Sequence, residues 1–265
     1  MVSLTRNEIE LYSREGFLIP RYRLEEQRVA ELRDALDRVI KANPGVRPEQ
    51  LVSAHIKTPA SEGVTGDDVF MDLAREEGLI EIVSQLIGPD VILWGCQIFC
   101  KPGGDGMEVP WHQDGHYWPI RPLATCTAWI AIDDSMVDNG CLRVIPRSHR
   151  QRELFEHCKE DRTDIVLNQR VADGQFDPGS AVDIELQAGE VSLHDAYLVH
   201  GSNPNQSIRR RAGIAIRYMP GSSHFKRDLF TPSADVSYTI DFSERPLWLL
   251  RGKDRTGRND FSIGH

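Results

Sequence analysis

Residues 111–149 read WHQDGHYWPIRPLATCTAWIAIDDSMVDNGCLRVIPRSH. His112 and Asp114 are two positions apart, so an extended backbone presents both on one side. Behind them come two short runs with the composition of strands, TCTAWIAI and CLRVIP. Between these runs VDNG (137–140) is the clearest tight turn, because Asn-Gly supplies the positive φ angles that hairpin turns need.

The same texture continues on either side. VILWGCQIFC (91–100), VDIELQAGEVSLHD (182–195) and RAGIAIRYM (211–219) are further β-rich runs punctuated by Gly, Pro, Asp and Asn. Several short strands of this kind suit a sandwich, jelly roll or closed barrel rather than a parallel βαβ sheet. The first ninety residues read as helical. Thr5 and Glu8 form a capping box, and Val29, Leu32, Leu36, Val39 and Ile40 recur at helix spacing before Asn43-Pro44 ends the run. Residues 68–86 predict a helical pair interrupted at Gly78 and closed by Gly88-Pro89. The polar loop 57–66 between the helices is expected to be mobile. The reading is therefore mainly β (α+β): one domain over 1–265, with helices over about 1–90, a β core over about 90–220 and a C-terminal extension over about 221–265.

A chain of 265 residues with 40% hydrophobic content can bury one substantial core. A net charge of -9 and a pI near 5.5 leave no broad basic surface for nucleic acid or anionic membranes. The N-terminus has no apolar run long enough for a signal peptide or a span, so the expected location is cytoplasmic. The five cysteines, Cys96, Cys100, Cys126, Cys141 and Cys158, contain no CxxC pair and are expected to be free thiols.

His112 and Asp114 need a third partner to hold an ion, and the strand-like run ending at His200 supplies one. Two imidazoles and one carboxylate on one face of an octahedron leave three positions open. That suits an Fe(II) that must take a bidentate oxoacid and dioxygen together. Arg211, eleven residues after His200, begins another strand and can reach inward to pair bidentately with a carboxylate, which predicts a dicarboxylate cosubstrate. The competing reading makes it part of a solvated basic turn, Arg209-Arg210-Arg211. His194 and Asp195, as strand neighbours, point to opposite faces and are set aside as a ligand pair.

The 111–149 block and the later HGSNPNQSIRRRAGIAIRYMP (200–220) resemble the phytanoyl-CoA dioxygenase-like family of Fe(II)/2-oxoglutarate oxygenases, in motif detail over roughly 90–220. The resemblance implies a double-stranded β-helix, a jelly-roll or cupin-like core. It implies Fe(II), 2-oxoglutarate and O2 as cofactor and cosubstrates, with His112, Asp114 and His200 as catalytic iron ligands. It also implies Arg211 on the distal carboxylate of 2-oxoglutarate, with Gln113, Trp129 and Ser202 as its neighbours. Family members that halogenate carry a small residue in place of the acid, so Asp114 implies hydroxylation. One departure is Pro146-Arg147-Ser148-His149, where relatives usually place Gly second.

Gln97, His116, Tyr117, Trp118, Arg121 and Arg217 are candidate substrate contacts. Arg217 lies six residues after Arg211, so a regular strand puts both on one side. The expected partner is a small-molecule metabolite, an anionic compound such as an amino acid or phosphonate, or a natural-product intermediate, rather than a long acyl thioester. The alternative is a metal-dependent hydrolase or isomerase on a cupin-like barrel, with zinc or manganese on the same three ligands.

Overall fold

A strand that is apolar almost throughout has to be covered on both faces, and 91–101 is such a strand. The computed structural model describes residues 2–57, 63–229 and 241–263. The elements run α1 (Arg6–Glu15), β1 (Phe17–Leu18), α2 (Glu26–Ala42), β2 (Leu51–Val52), α3 (Asp68–Ala74), α4 (Glu77–Ile87), β3 (Val91–Lys101), β4 (Val109–Gln113), β5 (Ile120–Arg121), β6 (Cys126–Ala131), β7 (Leu142–Val144), β8 (His157–Lys159), β9 (Gln169–Val171), β10 (Val182–Ile184), β11 (Val191–Asp195), β12 (Val199–Ser202), β13 (Arg211–Pro220), β14 (His224–Phe225) and β15 (Trp248–Arg251). An antiparallel sheet in the order β1-β11-β6-β13-β3-β15, with β2 also on β3, faces a four-stranded sheet β10-β7-β12-β4. The arrangement is the double-stranded β-helix, with its sheets antiparallel and not closed into a barrel.

Strand alternation decides which residues face the site. On β13, Ala212, Ile214, Ile216 and Tyr218 pack with Leu32, Leu36, Phe70 and Leu79 of the helices. Their neighbours Arg211, Ala215 and Arg217 turn the other way, into a cavity between the sheets. On β6, Ala128 and Ile130 face the helices while Trp129 and Ala131 meet Leu142 and Val144 of the smaller sheet. Gly213 is required beside Trp129, because a Cβ there would come within 2.1 Å of the indole Cζ2. Opposite Arg217 and Tyr218 the register of β3 slips from Gly95 to Leu93, so Trp94 is the extra residue of a bulge.

The front of the chain is not wholly helical. Phe17 pairs with His194 and Leu51 with Ile98, so two short strands from this segment extend the larger sheet. The capping box at Thr5 and Glu8 forms as expected. The break in the 68–86 helical run falls at Arg75 and Glu76 rather than at Gly78, which sits inside α4 beneath the ring of Tyr22. VDNG is not a hairpin either. Val137–Asn139 makes one 3-10 turn and Gly140 takes φ 79°, but β6 and β7 belong to different sheets, so the turn is a corner between layers. Arg147 keeps a left-handed φ of 70° and bonds Glu15 through Nε (2.8 Å) and Nη2 (3.0 Å).

Loop 57–66 falls largely on 58–62, outside the described residues. The five cysteines are free, four of them buried. Among the described residues no helix is long and apolar enough to cross a membrane.

Candidate metal centre

β4 and β12 are neighbours in the smaller sheet, and His112 and His200 are direct partners across that ladder. Their rings stand 4.1 Å apart, centroid to centroid. His112 Nδ1 lies 2.9 Å from the Pro110 carbonyl oxygen, and His200 Nδ1 lies 2.9 Å from that of Leu198. A carbonyl only accepts, so each Nδ1 carries the hydrogen and each Nε2 turns a lone pair into the cavity. Asp114 follows at the end of β4, with Oδ1 3.7 Å from His112 Nε2 and Oδ2 3.9 Å from His200 Nε2. The three ligand atoms all lie within 4.8 Å of one another, and all three residues are buried.

Electrostatics keeps these donors ready. Burial opposes the charge on Asp114, but the imidazoles of His112 and His194, with His200 and Arg217 nearby, hold its carboxyl well below the usual range. Burial and then His112 push the His200 imidazole well below its ordinary value, so it is neutral. Two imidazoles that present Nε2 and an ionised carboxylate, converging from one side, fit a divalent cation with open positions.

His194, from β11, also reaches this point. Its Nε2 is 3.6 Å from Asp114 Oδ2 and its ring 4.7 Å from that of His200. Both its nitrogens are buried without a hydrogen-bond partner. Asp195 does point away, taking the Tyr197 backbone N–H at 2.8 Å. Opposite facing removes the pair as joint ligands but leaves His194 alone on the inner face.

A second feature of the cavity is cationic. Arg211 is 2% exposed, and its Nε donates to the Gly140 carbonyl at 3.0 Å, Nη1 to that of Phe99 at 3.2 Å and Nη2 to Ser202 Oγ at 3.5 Å. Its guanidinium carbon stands 5.6 Å from the centre of the Trp129 ring. Burial lowers its pKa to about 10, so it stays charged at neutral pH. Among the described residues no carboxylate is paired with it. Arg209 and Arg210 are the solvated part of that run, bonded to Asp138 and to Asp133 and Asp37.

Lys101 was not singled out in the sequence. It pairs with Arg211 in register, is fully buried, and donates from Nζ to Ser202 Oγ at 2.7 Å and to the Asn203 carbonyl. The available signal was a lysine closing an otherwise apolar strand.

Three expected residues are not brought to either cavity. Gln113 lies between His112 and Asp114 and so faces the opposite way, where its amide binds the carbonyls of Tyr197 (2.7 Å) and Glu153 (3.0 Å). His116 stacks on His157 at 3.9 Å and bonds Gln169 at 3.1 Å. Arg121 is exposed and folds back onto the carbonyls of Ile120 and Trp118. Gln97, Tyr117, Trp118 and Arg217 do line a second cavity adjoining His112 and Asp114, together with Phe242 and Arg245 of the C-terminal segment.

Residues 12–213 match the profile of the phytanoyl-CoA dioxygenase (PhyH) family. An ectoine dioxygenase of Bordetella bronchiseptica is 25% identical over 241 residues, covering 82% of this chain and 75% of that protein. A probable alpha-ketoglutarate-dependent hypophosphite dioxygenase of Stutzerimonas stutzeri is 28% identical over 153 residues, covering 57% and 53%. Among solved structures, the apo form of the non-heme monooxygenase ThoJ superposes with a TM-score of 0.69 at 25% identity, covering 93% of this chain and 84% of that one.

Proposed function

Because this chain belongs to the phytanoyl-CoA dioxygenase family of iron- and 2-oxoglutarate-dependent oxygenases, we propose that it hydroxylates a small anionic metabolite, with iron on His112, Asp114 and His200. The observation that carries this reading is the convergence of three buried ligand atoms beside a buried guanidinium that has no carboxylate partner among the described residues. Bound there, iron and 2-oxoglutarate would supply the activation of dioxygen and the oxidising power, with succinate and CO2 as coproducts.

The chain's own residues supply orientation and charge. The carbonyls of Pro110 and Leu198 hold both imidazoles in the tautomer that presents Nε2. Arg211 gives the distal carboxylate of 2-oxoglutarate a charge-assisted contact, and Ser202 and Trp129 stand beside it. Ser202 Oγ already accepts from Lys101 and Arg211, which leaves its hydrogen free to donate to that carboxylate. Phe99, Val109, Leu142 and Ala215 make the apolar part of the wall. Asp114 in the acid position favours hydroxylation over halogenation. Arg217 in the second cavity, and a relative named for hypophosphite, favour a small anion over an acyl thioester.

Anaerobic titration with Fe(II) and 2-oxoglutarate tests the proposal. A weak visible charge-transfer band that needs both components is the expected result. No band, with tight zinc binding instead, would favour a metal-dependent hydrolase.

A further inference from the structure

The second cavity shares Phe99, His112, Asp114 and Arg217 with the first but not Arg211, and its walls are largely aromatic, with Trp94, Tyr117, Trp118 and Phe242. Trp94 and Trp118 flank the Arg217 guanidinium, whose carbon lies 5.7 and 5.4 Å from their ring centres. Arg217 Nη2 donates to Gln97 Oε1 at 3.1 Å, while its Nε is buried without a hydrogen-bond partner. Among the described residues no carboxylate is ion-paired with it. Indole faces stabilise a cation in part, but the half-buried Arg217 guanidinium has, among the described residues, no carboxylate beside it to complete the pairing. Asp114 faces the same space, but on the reading above its charge is committed to the metal. A bound anion therefore supplies what Arg217 lacks.

A second observation is independent of the first. The match to the family profile ends at residue 213. Arg217 and Phe242 lie beyond it, as does Arg245, which bonds Ser53 Oγ at the edge of this cavity. Part of the wall thus comes from beyond the stretch matched to the family profile, where selectivity among members can differ.

We infer that the second cavity is the substrate site and takes a carboxylate, phosphonate or sulfonate carried on a flat apolar body, the anion on Arg217 and Gln97 and the body against Tyr117, Trp118 and Phe242. It rests on the proposed function in one respect: the carbon to be oxidised must lie beside His112 and Asp114. Aromatic walls favour a flat body because stacked and edge-on ring contacts add to simple burial.

The test uses the whole protein with Fe(II) and 2-oxoglutarate under anaerobic conditions, and follows tryptophan fluorescence as phenylacetate, phenylphosphonate or neutral phenylacetamide is added. Both anions are expected to bind about tenfold or more tightly than the amide, the scale of one charge-assisted hydrogen bond. Arg217→Gln should erase that preference while a ketoacid charge-transfer band that needs both Fe(II) and 2-oxoglutarate is still formed. Phe242→Leu should weaken all three ligands alike, and circular dichroism checks that each variant folds.

Equal binding of amide and anions, no binding of any of the three, or a preference that survives in Arg217→Gln would overturn the inference. Loss of the charge-transfer band in Arg217→Gln would move that residue to the cosubstrate and also overturn it. Unchanged affinities in Phe242→Leu would remove the flat body from the proposal. A wild-type protein with no charge-transfer band would instead defeat the cofactor reading, while the fluorescence titration still decides the preference for anions.

Discussion

His112 and His200 face each other across the β4–β12 ladder, and each is tied through Nδ1 to the carbonyl two residues before it. The backbone thus selects the tautomer of both rings before any metal arrives. Replacing His112, Asp114 or His200 with alanine should abolish turnover and iron binding together, with the far-ultraviolet circular dichroism spectrum retained. Near-normal turnover in any one of them would remove it from the ligand set.

Arg211 should act on the cosubstrate rather than on the metal. Arg211→Ala is expected to weaken 2-oxoglutarate by about ten- to a hundredfold, equivalent to roughly 1.5 to 3 kcal/mol for a charge-assisted bidentate contact. Fe(II) affinity, measured separately by equilibrium dialysis, should stay close to wild type. Equal losses in the two titrations would point to a collapsed cavity instead.

Lys101 should share that effect at one remove. It does not line the cavity, but it occupies one acceptor site of Ser202 Oγ, and burial with Arg211 beside it pushes its pKa well below the ordinary value. Lys101→Met keeps much of the volume and removes that hydrogen bond. The expected result is a rise in the dissociation constant of 2-oxoglutarate of about three- to tenfold, the scale of a single hydrogen bond. Iron affinity is again the control.

Stability should fall on mild acidification. Burial, then Arg245 and Arg75, lowers the pKa of His55 to about 3, and burial, then His116, lowers that of His157 to about 4. Below the unfolded value of 6.5 the unfolded chain binds protons that the folded chain refuses. Each ring therefore costs stability as pH falls from 6.5 towards its folded value, with a limiting slope of about 1.4 kcal/mol per pH unit. Urea unfolding at pH 7, 6 and 5 measures this before the carboxylates titrate. His55→Phe should flatten the profile, and an unaltered slope would show that His55 is not the source.

Arg147 holds a left-handed backbone. Strain of about 1 kcal/mol is usual for such a residue, and the two bonds to Glu15 offset it. Arg147→Ala keeps the strain and loses the bonds, whereas Arg147→Gly loses both. Glycine should therefore be the milder change in thermal unfolding, and the opposite order would contradict the strain argument.

Some of this site was legible in the sequence because spacing carries it. His112 and Asp114 are two apart on one strand, and Arg211 opens a run whose alternate members are plainly apolar. What was not legible depends on pairings between distant strands. Lys101 gains its meaning only from lying opposite Arg211, and His194 only from β11 presenting it beside Asp114. Gln113 shows the limit of motif proximity: it sits between two ligands and, for that reason, faces away from them. The short strand at Phe17–Leu18 escaped notice because two residues hold no periodicity, and its partner is the far-off β11. The helix break was misplaced because a glycine was taken as the interruption, whereas packing against Tyr22 accommodates it.

The ladder that joins β4 to β12 has a consequence for biogenesis. Its two histidines stand at 112 and 200, and the guanidinium beside them comes from 211, on a strand that lies between β3 and β6. A nascent chain that has not yet emerged past this last strand holds His112 and Asp114 without the other half of the centre. Long-range pairings of this kind close late, because loop entropy must be overcome before their contacts can reward it. Metal loading should accordingly follow synthesis and folding, and a ribosome-stalled fragment ending before residue 200 should retain no iron.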